Sequence, residues 1–387
     1  MADTTYNQNQ MKITNVRVLN IGVPQKNSIY DLKMLEGMRR DQYTHQVHST
    51  SDGILQLMRV ETDEGIEGMC TLEGARLGSM NPYTLEQMRH LVVGLDPFHR
   101  EEIYQKMHRG NRWLYQAPGW QGPLDNCLWD IIGKASELPV WAIMGRVRES
   151  LPAYKNIRGE TIQISVEDAI RSVEAGFPAI KDHFYHPPNE NIKWFEAIRS
   201  AVGPDIDIMH DAVGIYSLEQ AIRIGRVLTE LDYRWFEEPL PERHHKNMKS
   251  LCDAVDIPIL APEMMMDDVD LSAQWLISGA TELIRANARH GTTGIIKLAH
   301  LAELHGTTIE LNAGGALSGL VHAHLAVSIS NTSYYEYFDG SQEKSGLDYG
   351  ITNPPSAENG SISPPDLPGW GAIWDWDKLK SKTLSEV

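Results

Sequence analysis

Cysteine is nearly absent: three residues in 387, Cys70, Cys127 and Cys252, none close to another. So sparse and odd a set excludes a disulfide framework and a zinc-ligand pattern, and it fits a reducing cytoplasm. Long apolar runs are missing too; none approaches the roughly 20 residues that cross a bilayer. The opening MADTTYNQNQ lacks a basic start followed by an apolar core, so no secretory leader is expected. Basic residues are the minority, 35 against 52 acidic, for a net charge of −17. That balance argues against nucleic acid or an anionic membrane as the main partner. It still allows a small anionic substrate, because a bound metal reverses the local field. There is no P-loop, no GxGxxG after a strand and no serine nucleophile elbow.

The chain does have length and apolar content for a barrel plus a smaller domain. Residues 11–140 read as an α+β unit. KITNVRVLNIGV alternates like a strand, and ILQLMRVETDEGIEGMCTLE reads as two strands joined at a turn containing Gly65. Helical segments follow, among them TLEQMRHLVVG and PLDNCLWDIIGKASEL. Between the first strands lies a polar and aromatic stretch, about 25–51, expected to be a lid loop. From 150 to 345 the rhythm becomes strand–helix alternation. Candidate strands are PAYKNI, PAIKDHF, DIDIMHD, RWFEEP, IPILAPE, TELIRAN, TTIELN and SYYEYF. Eight such units predict a closed parallel (β/α)8 barrel. The segment 346–387, rich in Pro, Gly and Trp, is expected to pack back on the small domain.

Three acids mark time along this barrel. Asp211, Glu237 and Glu263 are 26 residues apart in both steps, each at the end of a short apolar run. Strands of a parallel barrel bring those ends together at one mouth. Converging carboxylates repel unless neutralised, and a hard divalent cation such as Mg²⁺ suits three oxygen donors. Glu238 must point the opposite way from Glu237 in a strand, and Glu237 keeps the spacing.

One strand earlier, Lys181 and His183 in IKDHF are two apart and share a face. A lysine beside a cation and a second basic group is expected to have a lowered pKa that suits proton abstraction, and histidine is already near the right range. The alternative is that Lys181 pairs with Asp211 and His183 caps the core. Later strand ends bring Arg285 or Asn287, then Asn312, then Glu336. Asn312 runs into Gly314 and Gly315, which suit either an approaching ligand anion or an ordinary tight turn. Glu336 is either a substrate partner or a solvated acid. His290 in ARHGTTG is expected at the surface.

These motifs resemble the mandelate racemase/muconate lactonizing enzyme branch of the enolase superfamily over nearly the whole chain. ETDEGIEG resembles the second-strand hairpin, LWDIIGK the capping-domain helix and GFPAIK the strand of the basic motif. HDA, WFEEP and APE resemble the three metal-ligand strands, and GIIKLAHLAELHG the helix after strand six. The resemblance implies a modified (β/α)8 TIM barrel with an N-terminal α+β capping domain. It implies Mg²⁺ on Asp211, Glu237 and Glu263, a carboxylate substrate, an enediolate formed on loss of the α-proton, and a homo-oligomer. Two departures bear on the reaction. The basic motif is Lys-x-His where the family has Lys-x-Lys, so by position His183 is the base and Lys181 assists. The family's Asp–His dyad corresponds here to Arg285 and Asn312, so the opposite-face base is missing. The expected activity is therefore a one-sided Mg²⁺-dependent dehydration of a sugar acid to a 2-keto-3-deoxy acid. His183, or lid residues His45, His48 or Tyr43, serves as acid. Racemase, epimerase or cycloisomerase chemistry is the alternative, and a non-catalytic metal- and carboxylate-binding protein the rival from another class. Arg285, Asn312, Glu336, His45 and His48 are the expected substrate contacts.

Overall fold

The computed structural model describes residues 11–38, 42–72, 80–312, 314–338 and 340–387, leaving aside the side chains of 341–343. Thirteen strands form two sheets among these residues. β1 (Ile13–Met34), β2 (Tyr43–Thr62) and β3 (Glu67–Leu72) build an antiparallel meander, the last two joined at Gly65. Eight parallel strands follow: β4 (Leu151–Asn156), β5 (Ala179–Asp182), β6 (Asp207–Asp211), β7 (Trp235–Glu237), β8 (Ile259–Ala261), β9 (Leu283–Ala286), β10 (Ile309–Leu311) and β11 (Tyr335–Tyr337). β11 pairs back onto β4, Tyr335 opposite Ala153, and closes the barrel. Closure leaves no free edge among these eight strands. β12 (Ser361–Ile362) adds antiparallel to β4, and β13 (Thr383–Glu386) adds to β1. The chain's end therefore returns to the N-terminal sheet, and Trp370 Nε1 donates to the carbonyl of Asn126, on the helix Gly122–Ala135, at 2.8 Å. No helix among the described residues is long and apolar enough to cross a membrane.

The helix Gly122–Ala135 joins the two units, and most of it is buried. It can lie this close to β3 because Gly68 lacks a side chain: a Cβ there would sit 2.1 Å from the Cys127 carbonyl oxygen. At its start, a Cβ on Gly122 would fall 2.3 Å from the Arg289 carbonyl, on a barrel loop. Asn126 Nδ2 then donates to the Ala288 carbonyl at 2.7 Å, and Thr293 N–H to Asp125 at 2.8 Å.

The stretch expected as a lid loop is instead a two-stranded ribbon. After a bulge between Val23 and Asn27, β1 and β2 stay paired from Asn27–Ser51 out to Met34–Tyr43. Alternating β-branched and aromatic residues (Ile29, Thr44, Val47, Tyr30) favour pairing over loop. Both faces are largely exposed. At the tip, Leu35 and Met38 pack on the barrel's core, and Gln42 Nε2 donates to Gln220 Oε1 at 3.3 Å.

The helix Ala316–Ser328 is buried on nearly every side and carries two histidines as hydrogen-bond acceptors. His322 Nε2 accepts from Ala288 N–H at 2.8 Å, and His324 Nδ1 from Trp141 N–H at 3.1 Å. Burial lowers both to about 3, with Arg289 and Arg285 adding to the effect on His322. The unfolded chain takes up these protons near pH 6.5; the folded chain does not until about pH 3. Stability should therefore fall as pH drops through that window, by about 2 kcal/mol per histidine from pH 6.5 to 5. Urea titrations of the parent and of His324→Gln check this. The variant should lose stability less steeply with acid; equal slopes would contradict it.

Candidate metal centre and active site

Each barrel strand here contributes a few residues, and alternation sends one set inward and the next outward. β6 delivers Asp211 at its last position, β7 delivers Glu237 at its last, and Glu263 follows β8 by two residues. One carboxylate oxygen from each lies within 4.8 Å of the others. Directly after Glu237 the backbone enters the left-handed region, with Glu238 at φ 43°. This turns Glu238 away, to a hydrogen bond with Glu242. Glu242 in turn accepts the backbone N–H groups of Glu263 and Met264, the latter at 2.7 Å. A buried carboxyl pair thus braces the loop that presents Glu263.

Two cations lie beneath the triad, both fully buried. Lys181 Nζ sits 2.9 Å from Glu237, 2.7 Å from Glu336 and 3.5 Å from Asp211. Arg285 Nη2 sits 2.7 Å from both Glu237 and Glu336, and its Nε 3.4 Å from Glu263. Glu336 therefore bridges the two cations, with Asn156 Nδ2 at 3.3 Å. Tyr154 OH lies 3.4 Å from Arg285, and Trp235 Nε1 3.4 Å from Glu237.

This geometry corrects two expectations. Lys181 is not a lysine with a lowered pKa. Burial disfavours its charge, but Glu237 and Glu336 outweigh burial and hold it well above the usual lysine range. Arg285 and Glu336, expected against substrate, are spent on each other and on the triad. The carboxylates share protons unequally. Despite burial, Lys181 and His183 hold Asp211 far below the ordinary range, while Arg285 and Lys181 bring Glu336 to about 2. Glu237 is pushed up to about 8, by burial first and then by Asp211 and Glu336, against the pull of Arg285 and Lys181.

The residues present fit a metal. Four acids, Asp211, Glu237, Glu263 and Glu336, face two permanent cations, so negative charge is left over at the mouth. The donors are all carboxylate oxygens, the set preferred by Mg²⁺. A divalent ion would also favour the ionised form of Glu237.

His183 stands beside this centre, its Nε2 3.1 Å from Asp211 Oδ2, and is partly exposed. Tyr185 and Phe338 wall its ring, with centroids 6.5 and 6.3 Å away. Asn312 Nδ2 donates to Glu263 at 2.9 Å, while its Oδ1 accepts from Arg289 and Asn287. Asn312 thus holds a triad acid in place. His45 and His48 lie on the exposed ribbon with partners there: His45 edge-on to Tyr30, His48 bonded to Asp31 at 3.0 Å. Tyr43 is on the same ribbon, paired with Met34. His290 is buried, not at the surface, because the Gly119 loop packs over it.

Sequence reasoning missed a buried chain behind β5 and β6. Asn191 Nδ2 donates to Tyr216 OH, which lies 3.2 Å from His210 Nε2; His210 Nδ1 meets Asp182 at 2.5 Å. Asp182 and His210 are the outward neighbours of Lys181, His183 and Asp211, so alternation alone could have flagged them. Asn156, next to last in PAYKNI and last in β4, carried a strand-edge signal like that of the acids. Tyr154 carried none.

Known proteins share this arrangement of domains. Residues 165–378 match the family described as enolase C-terminal domain-like. Residues 34–145 match the mandelate racemase / muconate lactonizing enzyme N-terminal domain. A D-mannonate dehydratase of Caulobacter vibrioides is 26% identical over 363 residues, covering 83% of this chain and 89% of that protein. An L-talarate/galactarate dehydratase of Salmonella typhimurium is 25% identical over 332 residues, covering 82% and 79%. The crystal structure of D-glucarate dehydratase from Agrobacterium tumefaciens complexed with magnesium superposes with a TM-score of 0.81 at 26% identity, over 96% of this chain and 99% of that one.

Proposed function

The chain belongs to the mandelate racemase / muconate lactonizing enzyme family of the enolase superfamily, and from that premise we propose that it is a Mg²⁺-dependent hydro-lyase that dehydrates a sugar acid to a 2-keto-3-deoxy acid. The observation that carries the reading is a single one: His183 stands 3.1 Å from Asp211, at the open side of three converging carboxylates.

Asp211, Glu237 and Glu263 would hold Mg²⁺, which when bound supplies a Lewis acid for the charge that develops on the substrate carboxylate. Lys181 and Arg285 fix the Glu237 carboxylate from below, and Asn312 fixes Glu263. Lys181 stays an ammonium and adds positive potential beneath the site. His183 accepts the α-proton, and the β-hydroxyl departs with a proton returned by the same imidazole, so that water leaves and the resulting enol ketonises. Arg285 and Asn312 occupy the positions of the family's second base, and neither moves a proton here. Elimination with one acid–base group needs no base on the opposite face, whereas two-base racemisation does. We also read the protein as a cytoplasmic homo-oligomer. All three cysteines are free thiols, and the ribbon exposes Ile29, Tyr30, Leu32 and Met34, apolar surface that a second copy would cover.

A panel of acid sugars incubated with Mg²⁺ and assayed for 2-keto acid tests the activity. A 2-keto-3-deoxy product that disappears with a chelator is the expected result. Solvent deuterium at Cα of recovered substrate, with no keto acid formed, would point to an isomerase and overturn dehydration.

A further inference from the structure

The dehydratase relatives act, by name, on sugar acids with one carboxylate, such as mannonate, and on those with two, such as galactarate and glucarate. The mouth of this barrel offers a way to decide between the classes. Arg158 is two residues beyond the end of β4, on the rim where the strand ends converge. Its side chain is exposed, and its guanidinium lies over the Phe338 ring, 5.8 Å from the centroid. Phe338 follows β11, and its ring also neighbours His183, at 6.3 Å. Phe338 is therefore a wall shared by the base and by a cation at the rim.

Other cations of the site are already engaged. Lys181 and Arg285 are buried among carboxylates, and Arg289 Nη2 donates to Asn312. Among the described residues, no carboxylate pairs with the Arg158 guanidinium. Its backbone is nevertheless fixed: the Arg158 N–H donates to Asp168 Oδ2 at 2.9 Å, and Asp168 is held by Arg171 at 3.2 Å. An arginine with an anchored main chain and uncommitted donors is suited to a planar carboxylate. The centre beneath it is strongly acidic, so an anionic group at the far end of a substrate gains from a cation at the rim.

Resting on the dehydratase reading, we propose that Arg158 binds the distal carboxylate of the substrate, which makes the substrate class the aldaric diacids rather than the aldonic monoacids. One carboxylate goes to the metal centre, His183 faces the adjacent carbon, and the chain runs along Phe338 to Arg158. Phe338 offers the guanidinium a ring face beside the base.

The matched pair galactarate and D-galactonate, which differ only at C6, tests this. Calorimetric binding is measured on the Mg²⁺-loaded His183→Ala protein, where ligand is not consumed, and kcat/KM on the parent. The diacid should be favoured by about 10- to 100-fold in both, the scale of one charge-assisted contact. Arg158→Gln should collapse that ratio toward one, mainly through KM, and Arg158→Lys should restore part of it. Equal binding of the two acids, or a ratio unchanged in Arg158→Gln, would overturn the proposal. Dehydration of the monoacid with equal or greater efficiency would also overturn it, while leaving the dehydratase reading intact. Preferential diacid binding lost in Arg158→Gln, without keto-acid formation by the parent from any acid sugar of the panel, would support the proposal and overturn the dehydratase reading.

Discussion

Replacing His183 by Asn should lower kcat by about 10²- to 10⁴-fold, the scale of a lost general acid–base group. Mg²⁺ affinity should change little, because Asp211, Glu237 and Glu263 remain. The basis is the division of labour proposed for the two residues of the Lys-x-His motif. Lys181 is fully buried with its ammonium among Glu237, Glu336 and Asp211, and those acids keep it charged. A lysine so placed has no lone pair to offer. His183 is partly open to the mouth, with its Nε2 3.1 Å from Asp211. Rapid-quench and steady-state rates on His183→Asn, with Mg²⁺ titrated calorimetrically, measure both effects. Retained turnover would move the base to another residue, and joint loss of turnover and metal would make His183 a structural support of Asp211.

Removing the buried guanidinium, as in Arg285→Met, should destabilise the metal-free protein by about 3–5 kcal/mol, the cost of leaving a buried charge without its partner. Arg285 contacts Glu237 and Glu336 at 2.7 Å each, and neither acid has access to water. The loss should depend on pH in a definite direction. Glu237 already sits at about 8 with Arg285 present, and losing the cation raises it further. A proton can take over part of the role below that value, so the deficit should be smaller at pH 6 than at pH 9. Mg²⁺ should recover part of it by supplying positive charge from above. Chemical denaturation at both pH values, with chelator and with Mg²⁺, measures each term. A deficit independent of pH and of metal would reduce Arg285 to a packing residue.

Much of this protein is written locally. Eight apolar runs with polar ends, spaced by helical segments, specify a parallel barrel, because only closure buries both faces of such strands and leaves no edge. The place of Asp211 and Glu237, each last in its strand, brings them to the same rim, and the period of two explains why Asp182 and His210 face outward instead. The pairing of β1 with β2 over residues 27–34 and 43–51 was written there too, in alternating β-branched residues, but their polar neighbours concealed it.

What no local pattern contains is the content of the barrel's interior. Lys181, Arg285 and Glu336 come from strands far apart in the chain, and each reads alone as a residue ready to meet a substrate. Closing the barrel sets Glu336 2.7 Å from both cations, and burial makes every uncompensated charge costly, so they neutralise each other and the triad. The same closure leaves His183 and Arg158 on the open side. Sequence set which residues reach the rim; the sum of charges inside the barrel, which exists only once the strands meet, decided which of them are buried against one another and which stay open to the mouth.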